Sequence, residues 1–254
     1  MFLAFIVGSA GSGKSMLTSA LAEYLLEKEQ DVCTVNLDPG VLNLPYNPDI
    51  DVRAYISVED IQEEYGLGPN GALVMASDLI ANYIEDLRDE IEDTGAEYIL
   101  VDTPGQLELF AFRASGPFIV REISRNPKAI VYLIDAPFSA NPLNFVSNLY
   151  LSVAVYTRIL EPQIYVLSKA DLVDEDTREK ILDWFEDFDM LEADVEGAIK
   201  DERLFMARSI VEGLKSLDIF SELIPVSAKT GEGLPLLSAA LTRVFTGGEE
   251  MLEG

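Results

Sequence analysis

The sequence predicts an α/β fold, in which a mostly parallel central sheet lies between two layers of helices. Apolar runs of strand length alternate with helical runs along most of the chain, which is typical of the βα units that build a parallel sheet. The first unit carries a glycine-rich loop between its strand and its helix. Several strand-like runs end directly in polar residues, as expected where a ligand binds at the carboxyl ends of parallel strands.

The glycine-rich loop is Gly8-Ser9-Ala10-Gly11-Ser12-Gly13-Lys14-Ser15, which fits the phosphate-binding pattern G-x-x-x-x-G-K-[ST] at every fixed position. A strand is predicted before it, over residues 2–7, and a helix after it, over residues 16–27. The glycines let backbone N–H groups turn toward a phosphate, and the helix adds the positive end of its dipole. This context predicts a phosphate-loop NTPase fold. The residues expected to contact nucleotide here are Gly11, Ser12, Gly13, Lys14, Ser15 and Met16, with Lys14 on the β- and γ-phosphates and Ser15 on Mg²⁺.

Two further predicted strands lead into aspartates that suit a Mg²⁺–nucleotide site. Residues 31–37 form a strand that is followed by Asp38, and residues 97–101 form a strand that is followed by Asp102. We expect Asp102 to bind Mg²⁺ directly or through water. Asp38 is expected to hold a Mg²⁺-bound water or to orient the attacking water, and the alternative is that it only opens an Asp-Pro-Gly turn.

The string Asp102-Thr103-Pro104-Gly105-Gln106 predicts a loop that senses the γ-phosphate. The N–H of Gly105 can donate to a γ-phosphate oxygen, and loss of that bond on hydrolysis relaxes such a loop. Gln106 is placed to orient the attacking water, as a glutamine does in many GTPases, and Glu108 is close enough to assist.

A predicted strand over residues 163–167 leads into Ser168-Lys169-Ala170-Asp171, which we interpret as the base-recognition site. The carboxylate of Asp171 can accept hydrogen bonds from N1–H and the 2-amino group of guanine, whereas adenine offers neither donor there. The stem of Lys169 can lie over the purine plane. Ser168 stands where the usual string has Asn, and a hydroxyl makes fewer hydrogen bonds than an amide. A last strand is predicted over residues 222–226. After it, the backbone N–H of Ala228 is expected to donate a hydrogen bond to guanine O6.

The other predicted elements complete one GTPase domain over residues 1–246. The segment 41–70 is irregular, with a short helix capped by Ser57 and a stretch over residues 49–53 that is too polar for a core strand. Residues 172–221 are interpreted as a helical insertion, and residues 247–254 as a flexible tail. The remaining predictions are helices over residues 72–93, 141–160, 176–188, 196–217 and 230–245, and a strand over residues 129–135.

Composition excludes several classes of function. The 254 residues carry a formal net charge of −27 without a visible basic cluster, so direct binding to nucleic acid is not expected. No apolar run is long enough to span a membrane. The chain enters its first strand without a basic leader, and Cys33 is its only cysteine, so a cytoplasmic location is expected. Because histidine is absent, catalysis by histidine and metal sites with histidine ligands are excluded.

With these motifs assembled, the chain resembles the GPN-loop GTPases over nearly its whole length. The resemblance rests most specifically on Gly68-Pro69-Asn70, which follows the string YNPDIDVR at residues 46–53. The other shared strings are GSAGSGKS (8–15), LDPG (37–40), DTPGQLELF (102–110), SKAD (168–171) and SAK (227–229).

The resemblance implies Mg²⁺-dependent hydrolysis of GTP to GDP and phosphate by a homodimer that acts as a nucleotide switch. It implies that the loop Gly68-Pro69-Asn70 reaches into the partner's nucleotide site, where Asn70 helps to arrange the γ-phosphate environment. It supports Asp38, Gln106 and Glu108 as the residues that position water. Arg113 is the nearest candidate for an arginine finger. Eukaryotic members are linked to RNA polymerase assembly, so a protein client is implied by resemblance alone.

Three other functions remain open at this point. A small-molecule kinase has a similar phosphate loop but usually needs an arginine-rich lid, and the chain has 18 Lys+Arg without an arginine cluster. A partitioning-type dimeric ATPase carries an extra lysine early in the loop, where this chain has Ser9, and Asp171 also disfavours it. A protein that holds nucleotide without turnover is opposed only by Gln106.

Overall fold

The computed structural model describes residues 1–199, 204–217 and 220–247, and its centre is a sheet of seven parallel strands. The strands lie in the order β3-β2-β4-β1-β5-β6-β7. Their bounds are β1 Phe2–Gly8, β2 Val32–Asn36, β3 Ile50–Asp51, β4 Tyr98–Asp102, β5 Lys128–Asp135, β6 Gln163–Ser168 and β7 Leu223–Val226.

Strand β1 lies in the middle of the sheet because its side chains are apolar on both faces. Residues 3–7 are all buried, which is typical of a parallel strand that is covered by helices on both sides. β1 pairs with β4 on one side and with β5 on the other. The chain therefore builds the sheet outward in both directions from β1, and the end of β1 is a point where ligands bind in such sheets.

Twelve α-helices of the described residues surround this sheet. They are α1 Lys14–Glu27, α2 Val58–Tyr65, α3 Pro69–Leu79, α4 Ile84–Thr94, α5 Leu107–Phe110, α6 Ser115–Glu122, α7 Ala136–Ser139, α8 Pro142–Ile159, α9 Glu175–Glu186, α10 Phe188–Ala198, α11 Leu204–Lys215 and α12 Leu234–Phe245. Short 3₁₀ turns occupy Val52–Ala54, Ile80–Tyr83 and Ala170–Leu172. Within these described ranges, no helix has both the length and the apolar character that crossing a bilayer demands.

Two apolar cores hold the layers together, one on each face of the sheet. On the first face, α1 and α12 contribute Leu21 and Leu241. The larger core on the other face includes Phe145 of α8 and Trp184 of α9, whose rings lie 5.8 Å apart. Burial of each such side chain contributes about 1.5–3 kcal/mol. The predicted three-layer α/β fold is confirmed.

Several predicted element boundaries were wrong. The helix predicted over residues 72–93 begins earlier, at Pro69, and is divided into α3 and α4 by the 3₁₀ turn Ile80–Tyr83. The polar stretch 49–53 contains the short edge strand β3, whose Ile50 is buried. The other residue of β3, Asp51, is polar, and its carboxylate accepts hydrogen bonds from the neighbouring side chains of Asn36 and Arg53.

The predicted insertion also differs in detail. Its described residues form three helices, α9, α10 and α11, where two were predicted. The predicted helix over residues 196–217 runs across residues 200–203, which lie outside the described residues. Residues 248–254 of the predicted tail also lie outside them. The helix predicted over residues 230–245 begins only at Leu234.

Candidate functional site

The candidate site lies along the edge of the sheet where all the parallel strands end. Because neighbouring parallel strands end at the same edge, residues that are distant in sequence meet there. The strand order puts the ends of β2 and β4 on one side of the phosphate loop and the ends of β6 and β7 on the other. One half of the site therefore carries the predicted metal and catalytic residues, and the other half carries the predicted base-recognition residues.

The phosphate loop connects β1 to α1 and turns sharply at Gly11 and Gly13, where φ is 75° and 94°. These are left-handed conformations, which favour glycine. A Cβ atom at Gly8 would lie only 2.6 Å from the Ser12 hydroxyl oxygen, so a larger residue does not fit there. The Ser12 hydroxyl is fully buried and has no hydrogen-bond partner within the described residues. The loop thus presents a polar group that protein contacts do not satisfy.

Lys14 begins α1 and is only 6% exposed. Its ammonium donates hydrogen bonds to three carbonyl oxygens, those of Gly8, Ser9 and Gly105, each at 3.0 Å. Burial lowers the pKa of Lys14, while the nearby carboxylates of Asp102 and Asp38 act in the opposite direction. A buried ammonium that is held by neutral carbonyls can exchange these partners for phosphate oxygens, which form stronger, charge-assisted bonds.

Asp102 ends β4 and is 1% exposed. Its Oδ2 accepts a hydrogen bond of 3.1 Å from the Tyr46 hydroxyl, while its Oδ1 is buried without a partner among the described residues. Burial raises the pKa of Asp102 to about 6, although the hydroxyls of Ser15 and Tyr46 and the charge of Lys14 lower it. A buried carboxylate with an unsatisfied oxygen beside a serine hydroxyl suits a Mg²⁺ ion, which binds oxygen ligands.

Asp38 follows β2 and is tied to the loop after β4. Its Oδ2 accepts a hydrogen bond of 2.9 Å from the Gly105 N–H, and its Oδ1 accepts one of 2.9 Å from the Gly40 N–H. The backbone of Asp38 is held by the Asn36 side chain, which accepts from its N–H at 3.0 Å. The structure therefore brings Asp38 and Lys14 together at Gly105, and Asp102 is close enough to act on the charge of Lys14.

The other predicted catalytic residues lie on the surface beside this centre. Gln106 and Glu108 are exposed at the start of α5. Arg113, the candidate arginine finger, is held by Asp78 of α3 in a two-pronged ion pair, in which its Nε lies 2.8 Å from Oδ1. Glu108 and Arg113 line a surface groove, and no residue that lines it belongs to the phosphate loop, to α1 or to the predicted base-recognition residues.

On the other side of the phosphate loop, residues from three distant segments line one cavity of about 210 Å³. The surface inside the cavity is mainly apolar, with a few polar groups, as is common for sites that take a flat organic ring. The lining includes every predicted base-recognition residue, two residues of the phosphate loop and two of α1. The full set is Ser12, Gly13, Met16, Leu17, Val166, Ser168, Lys169, Asp171, Leu172, Val226, Ala228 and Lys229.

The base-recognition string is attached directly to the phosphate loop. The Ser168 hydroxyl is buried and donates a hydrogen bond of 2.8 Å to the Ser12 carbonyl. The Ile134 carbonyl is a second, more distant acceptor, at 3.3 Å from the same hydroxyl. The substitution of Ser for the usual Asn therefore leaves a bond between the two motifs in place. Asp171 is exposed in the 3₁₀ turn Ala170–Leu172. Its carboxylate is accessible to a ligand in the cavity.

Comparison with known proteins now assigns the family. A family model described as "Conserved hypothetical ATP binding protein" matches residues 6–246. A GPN-loop GTPase of Pyrococcus abyssi is 36% identical over 239 residues, which covers 89% of this chain and 90% of that protein. The solved structure of the P. abyssi protein, a GTPase in apo form, superposes with a TM-score of 0.85 over 96% of this chain and 97% of that chain, at 32% identity. This chain belongs to the GPN-loop GTPase family.

Two other GPN-loop GTPases are longer than this chain. The GPN-loop GTPase QQT2 of Arabidopsis thaliana is 32% identical over 235 residues, which cover 90% of this chain but 60% of that protein. GPN-loop GTPase 1 of Dictyostelium discoideum is 29% identical over 235 residues, which cover 90% of this chain and 58% of that protein. The chain therefore spans about 60% of the length of these two relatives.

The GPN loop itself, Gly68-Pro69-Asn70, opens helix α3. Gly68 is the N-cap and Pro69 takes the first helical position, where proline is favoured because its missing N–H is not needed. All three residues are exposed. One turn further along α3, Leu73 packs so closely on the turn after β2 that a Cβ atom at Gly40 would lie 2.5 Å from its Cδ1. The helix that begins with the GPN loop is thus packed on the turn that carries Asp38.

Two residues of the site had no predicted role. Tyr46, which bonds Asp102, lies in the family string YNPDIDVR, but a tyrosine in an irregular segment carries no signal of its own. Asp135, which ends β5 between β1 and β6, forms an ion pair with Lys169. The signal for Asp135 was available, since it is a carboxylate at the end of an apolar strand, like Asp102.

Proposed function

We propose that this member of the GPN-loop GTPase family binds GTP with Mg²⁺ and hydrolyses it to GDP and phosphate as a homodimeric switch. The observation that carries the proposal is the cavity beside the phosphate loop, because Ser168, Lys169, Asp171 and Ala228 line it together with Gly13. A base in this cavity leaves its phosphates next to the loop. The description of the matching family names ATP, and the carboxylate of Asp171 supports guanine instead.

In the proposed mechanism, the phosphate loop binds the phosphates and Lys14 exchanges its three carbonyl partners for their oxygens. The buried hydroxyl of Ser12, which has no partner among the described residues, gains an acceptor. Because these groups already contact the phosphates once the nucleotide is bound, little further reorganisation is needed when charge moves from the γ-phosphate to the leaving oxygen.

The residues that would hold Mg²⁺ are Ser15 and Asp102, with Asp38 as an additional ligand through water. No cluster of three or more acidic or cysteine side chains with metal-binding geometry occurs in the described residues. This suits Mg²⁺, which is usually held by one or two protein groups together with phosphate oxygens and water. When it is bound, Mg²⁺ neutralises negative charge on the β- and γ-phosphates.

Catalysis is proposed to consist of positioning and charge neutralisation, without a covalent intermediate. Asp38 and Gln106 orient the attacking water, and Glu108 assists. The N–H of Gly105 leaves Asp38 and donates to a γ-phosphate oxygen, so the loop after β4 senses whether that phosphate is present. Arg113 is not assigned a catalytic step, because Asp78 holds its guanidinium.

The switch is proposed to work between two copies of the chain. Asn70 of one subunit would enter the nucleotide site of the other, which is supported by the exposure of the GPN loop and by the packing of α3 on the Asp38 turn. A protein client and a cytoplasmic location belong to the same proposal. The location is supported by Cys33, a buried free thiol whose pKa burial raises to about 12.

The proposal is tested by following phosphate release from GTP and from ATP, in separate reactions with Mg²⁺. We expect the wild type to prefer GTP by about 10-fold or more, and Asp171→Asn to lose that preference. The matched control is Asp176→Asn, which removes the same charge from an exposed position nearby and leaves the preference intact. Equal use of ATP would contradict the assignment of guanine, and phosphate that appears on a second substrate would indicate a kinase.

A further inference from the structure

Asp135 forms a partly buried ion pair with the lysine of the base-recognition string. Its Oδ2 lies 2.6 Å from the Lys169 ammonium, and the two side chains are only 15% and 32% exposed. The other carboxylate oxygen accepts from the N–H of Phe138 at 3.0 Å, so that Asp135 also caps α7. Both oxygens are engaged, and the carboxylate therefore has one fixed orientation.

The backbone of Lys169 is also specialised, with φ of 58° in the left-handed region. A residue with a side chain adopts this conformation at an energetic cost, so the surrounding contacts must hold it there. The Lys169 carbonyl accepts from the Leu172 N–H at 2.9 Å, which closes the turn that carries Asp171. With its backbone fixed by this turn and its ammonium by Asp135, the aliphatic stem is held at both ends.

The stem of Lys169 lies against the phosphate loop and lines the base cavity. A Cβ atom at Gly13 would be 3.8 Å from Lys169 Cε, which is ordinary van der Waals contact. Lys169 and Gly13 both line the cavity, whereas Asp135 does not. Asp135 is therefore not itself a wall of the cavity, and its ion pair with Lys169 connects it to a residue that is.

We propose that Asp135 is a positioning residue that fixes the stem of Lys169 as one wall of the base pocket before the nucleotide binds. A free lysine side chain has many rotamers, and ordering it during binding costs affinity. Asp135 removes that cost in advance, so its contribution appears in the affinity for the base and not in the affinity for the phosphates. The inference rests on the proposed nucleotide function of the same cavity.

The test compares Asp135→Asn with the wild type by calorimetric titration with GDP and with inorganic tripolyphosphate, which occupies a phosphate loop without a base. Asn keeps an acceptor for the Phe138 N–H but removes the negative charge. We expect GDP to bind about three- to tenfold more weakly, as corresponds to ordering one long side chain, while tripolyphosphate affinity is unchanged. In a Lys169→Met background, which keeps an apolar stem without the charge, Asp135→Asn is expected to have no further effect.

Asp194→Asn is the matched control, because it disrupts an Asp–Lys pair in the insertion, with Lys180, and should change neither affinity. Equal weakening of GDP and tripolyphosphate by Asp135→Asn would overturn the proposal, since the effect would then act on the phosphate loop. Unchanged GDP affinity would overturn it as well. A different result would contradict the proposed GTPase function, namely equal affinities of the wild type for GDP and ADP. In that case, the affinities for GDP and for tripolyphosphate can still be compared between Asp135→Asn and the wild type.

Discussion

The N–H of Gly105 donates a hydrogen bond of 2.9 Å to the carboxylate of Asp38, while the carbonyl of Gly105 accepts one of 3.0 Å from Lys14. One residue, Gly105, thus holds through its N–H and its carbonyl the two charged residues that the proposed mechanism needs at the γ-phosphate. In the proposed mechanism, binding of GTP breaks both contacts, because the phosphate competes for the Gly105 N–H and for Lys14. Under the same proposal, Asp38 is then released to orient water at the moment when the substrate is complete.

Asp38→Asn is expected to reduce hydrolysis without preventing nucleotide binding. The amide oxygen can still accept from Gly105, but it lacks the charge that polarises water, so the single-turnover rate with GTP should fall by about 100-fold. The affinity for GDP, which has no γ-phosphate, should change little. Asp31→Asn, at the opposite edge of the sheet, is the control for the loss of one negative charge. Hydrolysis at the wild-type rate would remove Asp38 from the catalytic set.

Asp102→Asn is expected to stabilise the protein in the absence of nucleotide and Mg²⁺. Burial raises the pKa of Asp102 to about 6 in the folded protein, compared with an ordinary value near 3.9. The folded state therefore binds more protons between these pH values than the unfolded state. The contribution of Asp102 to the free energy of unfolding consequently falls as pH rises through this window, by about 2–3 kcal/mol in total.

The measurement is urea unfolding of both proteins in chelator between pH 4 and pH 8. The difference between Asp102→Asn and the wild type should be smallest near pH 4 and should grow until it levels off above about pH 6. Because the two proteins share all the other acidic residues, the effect of repulsion among those residues cancels in the difference between the two free energies of unfolding. A variant that is less stable than the wild type by the same amount at every pH would show that Asp102 is not penalised by burial. Added Mg²⁺ and GDP should stabilise only the wild type strongly.

Asn70→Ala should slow hydrolysis while leaving the fold unchanged. Asn70 is exposed, so the free energy of unfolding should change by less than about 0.5 kcal/mol. If Asn70 acts across the dimer, an excess of Lys14→Ala subunits, which keep Asn70 but lack a working phosphate loop, should restore phosphate release. Subunits with both changes are the matched control and should not restore it. Failure of the first mixture would indicate that Asn70 acts in its own subunit or not at all.

Ser168→Ala should weaken nucleotide binding through the phosphate loop. Its hydroxyl bonds the Ser12 carbonyl at 2.8 Å, and the loss of one such bond costs about 1 kcal/mol, which is about fivefold in Kd. Ser168→Thr keeps the hydroxyl and should retain most of the affinity. Titration with GDP measures both variants. Equal affinities of Ser168→Ala and Ser168→Thr for GDP would show that the hydrogen bond between Ser168 and Ser12 contributes nothing to binding.

The sheet could be predicted from the sequence because buried parallel strands are continuous apolar runs. Six strands were located in this way, and the rule that ligands bind at strand ends led to Asp38, Asp102 and Ser168. Strand β3 was missed because it has two residues at the edge of the sheet, and the polar side chain of Asp51 is satisfied by specific bonds to neighbours. Such pairwise contacts are not visible in periodicity.

Helix boundaries were harder to predict for a similar reason. The 3₁₀ turn Ile80–Tyr83 was hidden because apolar residues three or four positions apart suit either kind of helix. Helix α6 was missed because Gly116-Pro117 favours a turn in the sequence. The glycine is needed there by tertiary packing, since a Cβ atom would lie 1.6 Å from the Phe110 carbonyl oxygen. The ion pair between Asp135 and Lys169 likewise depends on the adjacency of β5 and β6.

Recognition of guanine by Asp171 is tested by measuring kcat/KM of Asp171→Asn for GTP and for xanthosine triphosphate. Xanthine carries a carbonyl where guanine has the 2-amino group, so it offers an acceptor to the new amide in place of a donor to the carboxylate. We expect kcat/KM for GTP to fall by about 100-fold and that for xanthosine triphosphate to rise above the wild-type value. If Asp171→Asn hydrolyses GTP like the wild type and gains nothing with xanthosine triphosphate, Asp171 does not read the base, and the cavity is not a guanine site.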